Sequence, residues 1–268
     1  MSSAKQWLSI AAVALAGVCL SLTGSVGSVT VTLFTHPVPL YALCGVFIYA
    51  VQIVAFVPAW ILNTEMFFDL TGFDVRFNEF KKSLPKFLLT WVIQGMWVQF
   101  TLAAVLRSLC SSVEPPTSTL ATVAYGVGLS LWLVGFGLEA LADRQKRQFR
   151  ADPSNKGHFI SSGLWSVSRH PKYCGEITLW FGLAIACTPM LGGSGWVPYL
   201  TLVSPVFVYT LITRVSGVPL LEKSAEERWG ASDEYQAYKA RTRTLLVWPR
   251  RRQRDTNTES DDGQRERQ

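Results

Sequence analysis

The sequence predicts an all-α membrane protein, a polytopic bundle of about six transmembrane helices with seven as the alternative. Hydrophobic residues make up 49% of the chain and charged residues only 16%, against roughly 25% charged residues in an average soluble domain. The charges are also concentrated in a few loops and the C-terminal tail, which leaves long uncharged stretches. A bilayer imposes this distribution, because a charge at its centre is costly.

Six stretches approach the roughly 20 apolar residues that a spanning helix needs. They are residues 7–24, 39–61, 87–107, 120–141, 174–191 and 195–214. The first follows Lys5, so a signal peptide is the alternative for it. We favour a span, because no clear cleavage motif follows and further apolar stretches come after it.

The loops between these stretches alternate between basic and non-basic. Loops 24–38, 108–119 and 192–194 contain no Lys or Arg, whereas loops 62–86 and 142–173 and the C-terminal end are rich in both. The positive-inside rule then predicts that both termini and the two basic loops are cytosolic. The net charge of +6 has the same explanation, and we expect no nucleic-acid partner. The five cysteines are expected to be small apolar packing residues, not disulfides or metal ligands, and no metal site is predicted.

We divide the chain into three parts. Residues 1–129 are N-terminal spans, which we expect to supply the substrate side of a site. Residues 130–249 are predicted to form a C-terminal domain that carries a polar segment. Residues 250–268 are polar and of mixed charge, and they are predicted to be a disordered tail.

The polar segment begins where the fourth span continues into Glu139, Asp143 and Arg150. On one helix this spacing places all three on the same face. A carboxylate at the membrane boundary needs a partner or a water-filled cavity, so Glu139 is a functional candidate. The alternative is a local ion-pair network with Arg144 or Arg147.

The segment continues through a turn cluster into Arg169, His170 and Tyr173, and Glu176 follows at the start of the next span. Arginine can pair with phosphate, and carboxylates can bind ribose hydroxyls or a carboxamide. The set therefore predicts a site for a phosphate-bearing cofactor. GxGxxG, Walker, HExxH and GxSxG motifs do not occur in the sequence, so soluble nucleotide-binding folds and common hydrolases are not supported.

This segment resembles the C-terminal domain of the steroid 5-alpha-reductase family, and in particular a broader, uncharacterised branch of it. The resemblance covers about residues 130–249, with a weaker match at 69–72. Its motifs are Glu139-x3-Asp143-x-Gln145-Lys146-x2-Phe149-Arg150, Gly163-Leu164-Trp165, Ser168-Arg169-His170-Pro171-x-Tyr173-x-Gly175-Glu176-x3-Trp180, Ser216 to Glu222, Tyr235-x2-Tyr238 and Thr244 to Pro249.

The resemblance implies an NADPH-dependent reductase that acts on an activated carbon–carbon double bond of a lipid. Steroid, sterol, polyprenol and enoyl types are its substrate classes. It also implies that the positions of Asp143, Arg150, Tyr173 and Glu176 line the NADPH site, with Glu139 where steroid reductases carry asparagine. Family habit implies the endoplasmic reticulum in a eukaryote, or the inner membrane in a bacterium.

Two departures from the family pattern stand out. Lys172 replaces the usual asparagine before the tyrosine, which either adds a phosphate partner or alters cofactor binding. No motif identifies the acid and tyrosine that steroid reductases use at the substrate carbonyl, although Glu65 and Tyr49 are candidates.

Isoprenylcysteine carboxyl methyltransferases share the histidine-proline-x-tyrosine-x-glycine run but bind S-adenosylmethionine. Glu176 after the glycine favours the reductase, since the methyltransferases carry a bulky apolar residue there. A non-enzymatic membrane scaffold or lipid-binding protein is the third interpretation, because fold alone does not give function.

Overall fold

A computed structural model describes residues 3–62, 83–112, 117–191 and 195–246. The chain divides into two compact units. The first comprises Met1–Gly137 and Gly175–Pro219, and the second Leu138–Cys174 and Leu220–Gln268. The candidate Glu65, most of loop 62–86, the weak match at 69–72 and the tail 250–268 lie outside the described residues.

Helices dominate both units, and their bounds follow the predicted apolar stretches. They are α1 Ser3–Ser25, α2 Leu40–Ile61, α3 Leu84–Leu109, α4 Thr119–Ala151, α5 Pro171–Cys187, α6 Val203–Thr210, α7 Val218–Trp229 and α8 Asp233–Arg241. Among the described residues, five helical stretches are long and apolar enough to cross a membrane: Ala4–Ser25, Leu40–Ile61, Leu84–Leu109, Thr119–Ala151 and Val197–Trp229. The prediction of an all-α polytopic membrane fold is therefore confirmed.

Two of the six predicted spans differ from expectation. The stretch predicted at 174–191 is the 17-residue helix α5 followed by a 3₁₀ turn, Thr188–Met190. At about 1.5 Å per residue α5 is somewhat shorter than a bilayer core of about 30 Å. The last stretch begins with the 3₁₀ helix Val197–Leu202, and the π-helical segment Leu211–Val215 lies between α6 and α7.

A two-stranded hairpin interrupts the helices where only a loop was expected. Strand β1, Thr30–Leu33, pairs antiparallel with β2, His36–Pro39. The β-branched residues of β1 suit an extended backbone. Phe34 closes the two-residue turn with a φ of 53°, in the left-handed region. Such a short hairpin leaves little trace in the hydropathy pattern of the sequence, which the long apolar helices dominate.

In the first unit α1 and α2 both pack against α3. Gln99, which is completely buried, donates from its amide nitrogen to the Gly17 carbonyl (3.0 Å) and the Ser21 hydroxyl (2.7 Å) of α1. Phe56 and Ala59 of α2 meet Phe87 and Trp91 of α3 in an apolar cluster. The Gln99 side chain therefore fixes the pairing of α1 with α3. The apolar cluster fixes the pairing of α2 with α3.

Helices α4 and α5 approach closely along two glycines of α4. A Cβ atom on Gly135 would lie 2.6 Å from the Gly175 carbonyl oxygen, and one on Gly182 would lie 2.6 Å from the Gly128 carbonyl oxygen. Among the described residues, nothing from a neighbouring element lies within 4 Å of a Cβ placed on Gly126 or Gly137. In this part of the chain, close packing therefore uses the face of α4 that carries Gly128 and Gly135.

The second unit contains the C-terminal end of α4, the 3₁₀ turns Pro153–Asn155 and Gly163–Ser166, the start of α5, most of α7, and α8. Helix α4 ends at Ala151. The carboxylate of the next residue, Asp152, accepts from the Ser154 amide at 2.9 Å and caps the 3₁₀ turn that follows. Ser232 caps α8 by accepting from the Tyr235 amide at 3.4 Å. Local capping thus sets the helix ends that surround the site.

Candidate functional site

An ion cluster of Arg169, His170 and Glu222 organises the second unit. The two carboxylate oxygens of Glu222 accept from the Arg169 Nε and Nη2 atoms, each at 3.0 Å. The His170 Nε2 atom lies 2.6 Å from Glu222 Oε1. The side chains of Arg169, His170 and Glu222 are only 12%, 8% and 23% exposed. Such a two-pronged, largely buried pair fixes geometry as well as charge.

Arg169 also holds the end of the described chain. Its Nη1 atom donates to the carbonyls of Lys239 (3.0 Å) and Thr242 (2.8 Å), and its Nη2 atom donates to the Thr244 hydroxyl (3.0 Å). The Arg169 amide donates to the Arg243 carbonyl at 2.8 Å. All five guanidinium N–H groups are thereby used by the protein itself.

Aromatic rings form a second part of the site. The Phe159 ring lies 5.2 Å from both Tyr235 and Tyr238 and 5.9 Å from Trp229. The Tyr238 hydroxyl donates to the Trp165 carbonyl at 2.6 Å, and burial raises the pKa of Tyr238, so it remains a donor at neutral pH. The Lys146 ammonium lies 4.9 Å above the Trp165 ring, a cation–π contact.

These groups surround a cavity of about 710 Å³. Its wall contains aromatic and cationic side chains in about equal number: Phe149, Phe159, Trp165, Trp229, Tyr235 and Tyr238, with Lys146, Arg150, Lys156, Arg169 and Arg228. The lining acids are Asp152 and Glu222, and Glu222 is compensated within the ion cluster. The cavity is therefore large enough for a nucleotide-sized ligand and net cationic.

A separate group of charged side chains, Glu139, Asp143 and Lys172, joins α4 to the start of α5. The Lys172 ammonium lies 3.1 Å from the Asp143 carboxylate and 3.9 Å from that of Glu139. The three side chains are between 29% and 40% exposed. Neither carboxylate lines the cavity, and both have the Lys172 ammonium beside them.

The predicted site residues fall into three places. Arg150, Arg169 and His170 line the cavity. Glu139 and Asp143 pair with Lys172. The Tyr173 ring stacks 5.9 Å from the His170 ring, and Glu176 lies half-buried on α5 in the first unit. The cofactor roles of all seven residues stay predictions.

The sequence motifs did not assign a role to Glu222, Phe159 or Trp229. Glu222 and Tyr238 belong to segments that carry the family resemblance, and this resemblance was the feature of the sequence that could have pointed to them. Phe159 and Trp229 follow no motif, and only the folded chain brings them together.

The fold defines an all-α polytopic membrane protein whose second unit contains a cavity lined by aromatic and cationic side chains. The family model described as "Protein of unknown function (DUF1295)" matches residues 68–242. The chain therefore belongs to this family, which is related to the steroid 5-alpha-reductase C-terminal domain, and the resemblance noted in the sequence is confirmed.

A curated relative is the probable O-methyltransferase ustE of Ustilaginoidea virens. It is 33% identical over 94 residues, which are 33% of this chain and 33% of that protein. The chain thus matches about a third of the length of this relative. No solved structure matches the chain.

Proposed function

We propose that this protein is a membrane reductase that binds NADPH in the cavity of the second unit and reduces an activated carbon–carbon double bond of a lipid. The observation that carries the proposal is the composition of the cavity wall, which combines cations with exposed aromatic surface. When bound, NADPH supplies the hydride. The chain supplies binding, orientation and exclusion of water.

The charge of the wall supports a phosphate-bearing ligand. Lys146, Arg150, Lys156 and Arg228 line the cavity, and within the described residues none of them forms an ion pair with a carboxylate. NADPH carries a pyrophosphate and a 2′-phosphate, for which arginine and lysine are the usual partners. S-adenosylmethionine carries no phosphate and has a cationic sulfonium.

The aromatic part supports a flat base. Phe159 and Trp229 are half-buried, whereas Tyr235 and Tyr238 are buried. An adenine ring can stack on such a partly open aromatic surface. The Arg169–His170–Glu222 cluster would act as the rigid floor, because its polar groups are already satisfied by protein partners.

A methyltransferase that uses S-adenosylmethionine is the second candidate, and the name of the curated relative favours it. A scaffold without a cofactor is the third. The charge of the cavity argues for the reductase over both, since a cationic wall is costly to maintain without an anionic ligand.

Binding measurements on the detergent-solubilised full chain test the proposal. NADPH and S-adenosylmethionine are titrated separately, by calorimetry or by nicotinamide fluorescence. We expect NADPH to bind, and Arg150→Ala and Arg228→Ala each to weaken it by roughly tenfold, the loss of one charge-assisted contact. Lys223→Ala is the matched control, because Lys223 is an exposed cation of α7 that pairs with Glu227 at 3.9 Å.

The outcomes separate the candidates. Binding of S-adenosylmethionine alone would support the methyltransferase, and binding of neither ligand would support the scaffold. If Asp143→Ala also weakens NADPH binding, the cofactor site extends to the charged group of Glu139, Asp143 and Lys172.

A further inference from the structure

The hairpin of β1 and β2 is exposed although it consists of only two short strands. All four residues of β1 are exposed, as are His36 and Pro37 of β2, and only the last two residues of β2 are half-buried. A two-stranded hairpin is marginally stable at best in water, because it needs a third strand or a helix packed against an apolar face. The described residues leave β1 uncovered, so the hairpin needs a cover from beyond them.

The cross-strand register gives the hairpin one largely apolar face. Val31 pairs with Val38, and Leu33 pairs with His36. Paired residues lie on the same face, and successive residues of a strand alternate between faces. Val31 and Leu33 are 41% and 40% exposed, and Thr32 between them lies on the opposite face. The hairpin is therefore amphipathic, with exposed aliphatic side chains on one side.

An aromatic side chain forms the tip of this hairpin. Phe34 is 96% exposed, and its φ of 53° is the one positive φ of a non-glycine residue in the described part of the chain. A bulky side chain is disfavoured in this left-handed region, where two-residue turns normally use Gly, Asn or Asp. Turn geometry therefore does not explain a phenylalanine here. Surroundings that bind the ring would offset the cost of the conformation.

The outer edge of β2 is closed to a further strand. The Leu40 amide donates to the Val29 carbonyl at 2.8 Å, which makes these two residues a hydrogen-bonded pair. Such pairs alternate along an antiparallel ladder, so residues 37 and 39 direct their backbone nitrogens outward. Both are prolines, which have no N–H to donate. Prolines on an edge prevent strand pairing with another chain, so a lipid fits this edge better than an added protein strand.

The position of the hairpin in the chain brings it to a membrane surface. It joins α1 to α2, and both helices are long and apolar enough to cross a membrane. No Asp, Glu, Lys or Arg occurs between Lys5 and Glu65, so no formal charge opposes contact with lipid. Aromatic side chains favour the boundary between headgroups and acyl chains. The free backbone groups of the strand edges exclude the hydrocarbon core itself.

We propose that the hairpin Thr30–Pro39 is a phospholipid-binding anchor. Its apolar face and the Phe34 ring insert into the boundary between the headgroups and acyl chains of the membrane that α1 and α2 span. Its opposite face and its strand edges remain among headgroups and water. The Val29 carbonyl accepts from the Leu40 amide, and the Val29 amide donates to the Cys110 carbonyl, each at 2.8 Å. The anchored hairpin therefore holds the adjacent ends of α2 and α3 at the membrane surface.

Photo-cross-linking of the full chain in phosphatidylcholine vesicles tests the lipid contact. The photoreactive residue p-benzoylphenylalanine is introduced in place of Phe34, and the irradiated protein is weighed intact and mapped by peptide. We expect the mass of one phospholipid to be added at residue 34. The same residue in place of Thr32, on the opposite face, is the matched control, and we expect a several-fold weaker lipid adduct there.

Hydrogen exchange of the hairpin amides in lipid nanodiscs gives a second measurement. Phe34→Asp should accelerate their exchange by at least about tenfold, the factor that removal of one phenylalanine side chain from an apolar environment corresponds to. Phe34→Trp should keep the native protection, because tryptophan also favours the membrane interface.

Four results would overturn the proposal. A cross-link to a second copy of the chain would make the hairpin an interface between proteins, and a cross-link within one chain would show that another segment covers it. Absence of any adduct at residue 34 would place the hairpin in water. Equal exchange rates in the native protein and Phe34→Asp would show that the ring does not stabilise the hairpin in the membrane.

Discussion

Removing the negative charge of Glu222 should destabilise the second unit more than any other single change to a charged group on α7. Glu222→Gln keeps the size of the side chain and one acceptor oxygen. It leaves Arg169 with one of its two carboxylate contacts, each 3.0 Å in the native protein, and leaves the guanidinium charge uncompensated at 12% exposure.

The size of the effect follows from the burial of the pair. Breaking a fully buried ion pair costs about 3–5 kcal/mol. Glu222 is 23% exposed and Gln retains one hydrogen bond, so we expect about 2–3 kcal/mol. In a chain of this size that lowers the midpoint of thermal unfolding by roughly 4–12 °C.

Thermal unfolding in detergent, followed by circular dichroism, measures this shift. Glu226→Gln is the control, one turn along the same helix, where the carboxylate pairs with Lys239 at 2.7 Å on the exposed surface. We expect no shift beyond experimental error there. Equal shifts for the two glutamines would refute the reasoning.

Three further predictions concern other parts of the chain. Gly135→Ala should lower stability by about 1–3 kcal/mol through overpacking, because its Cβ would lie 2.6 Å from the Gly175 carbonyl. Gly137→Ala, whose Cβ would meet nothing within 4 Å among the residues that the structure describes, should be neutral or slightly stabilising, and thermal unfolding compares the two variants. Tyr238→Phe should lose about 1 kcal/mol at neutral pH with its hydrogen bond. Burial raises the pKa of Tyr238, so the extra stability of the native protein over Tyr238→Phe is complete below a pH of about 10 and declines above it. The unfolding curves of the two proteins should therefore converge at alkaline pH. Lys172→Glu would place a third carboxylate beside Glu139 and Asp143 and should lower the unfolding midpoint more than Lys172→Gln does, by a margin that 1 M salt narrows.

The membrane spans could be predicted because hydropathy and loop charge are local properties of the sequence. The continuation of α4 past the membrane boundary was also predictable, since no Gly or Pro occurs between Glu139 and Pro153. The hairpin at 30–39 could not be predicted from the sequence, because four-residue strands depend on pairing that no local pattern specifies.

The partners of the site residues could not be predicted for a related reason. The sequence singled out Arg169 and His170 as candidate cofactor-binding residues, but Glu222, with which both pair in the structure, lies far along the chain. Local spacing suggested Arg144 or Arg147 for the acids of α4, whereas Lys172 of α5 is the cation beside them. Sequence patterns identify which residues carry charge, and only tertiary structure decides which charges meet.

The two enzymatic interpretations make opposite claims about charge, and this allows a test that does not depend on knowing the lipid substrate. A ligand held by Lys146, Arg150 and Arg228 through its phosphates must bind more weakly as salt screens those contacts. A sulfonium ligand would be repelled by the same cations, so salt should leave its affinity unchanged or improve it. The salt dependence of each affinity therefore reports on the charge of the cavity wall.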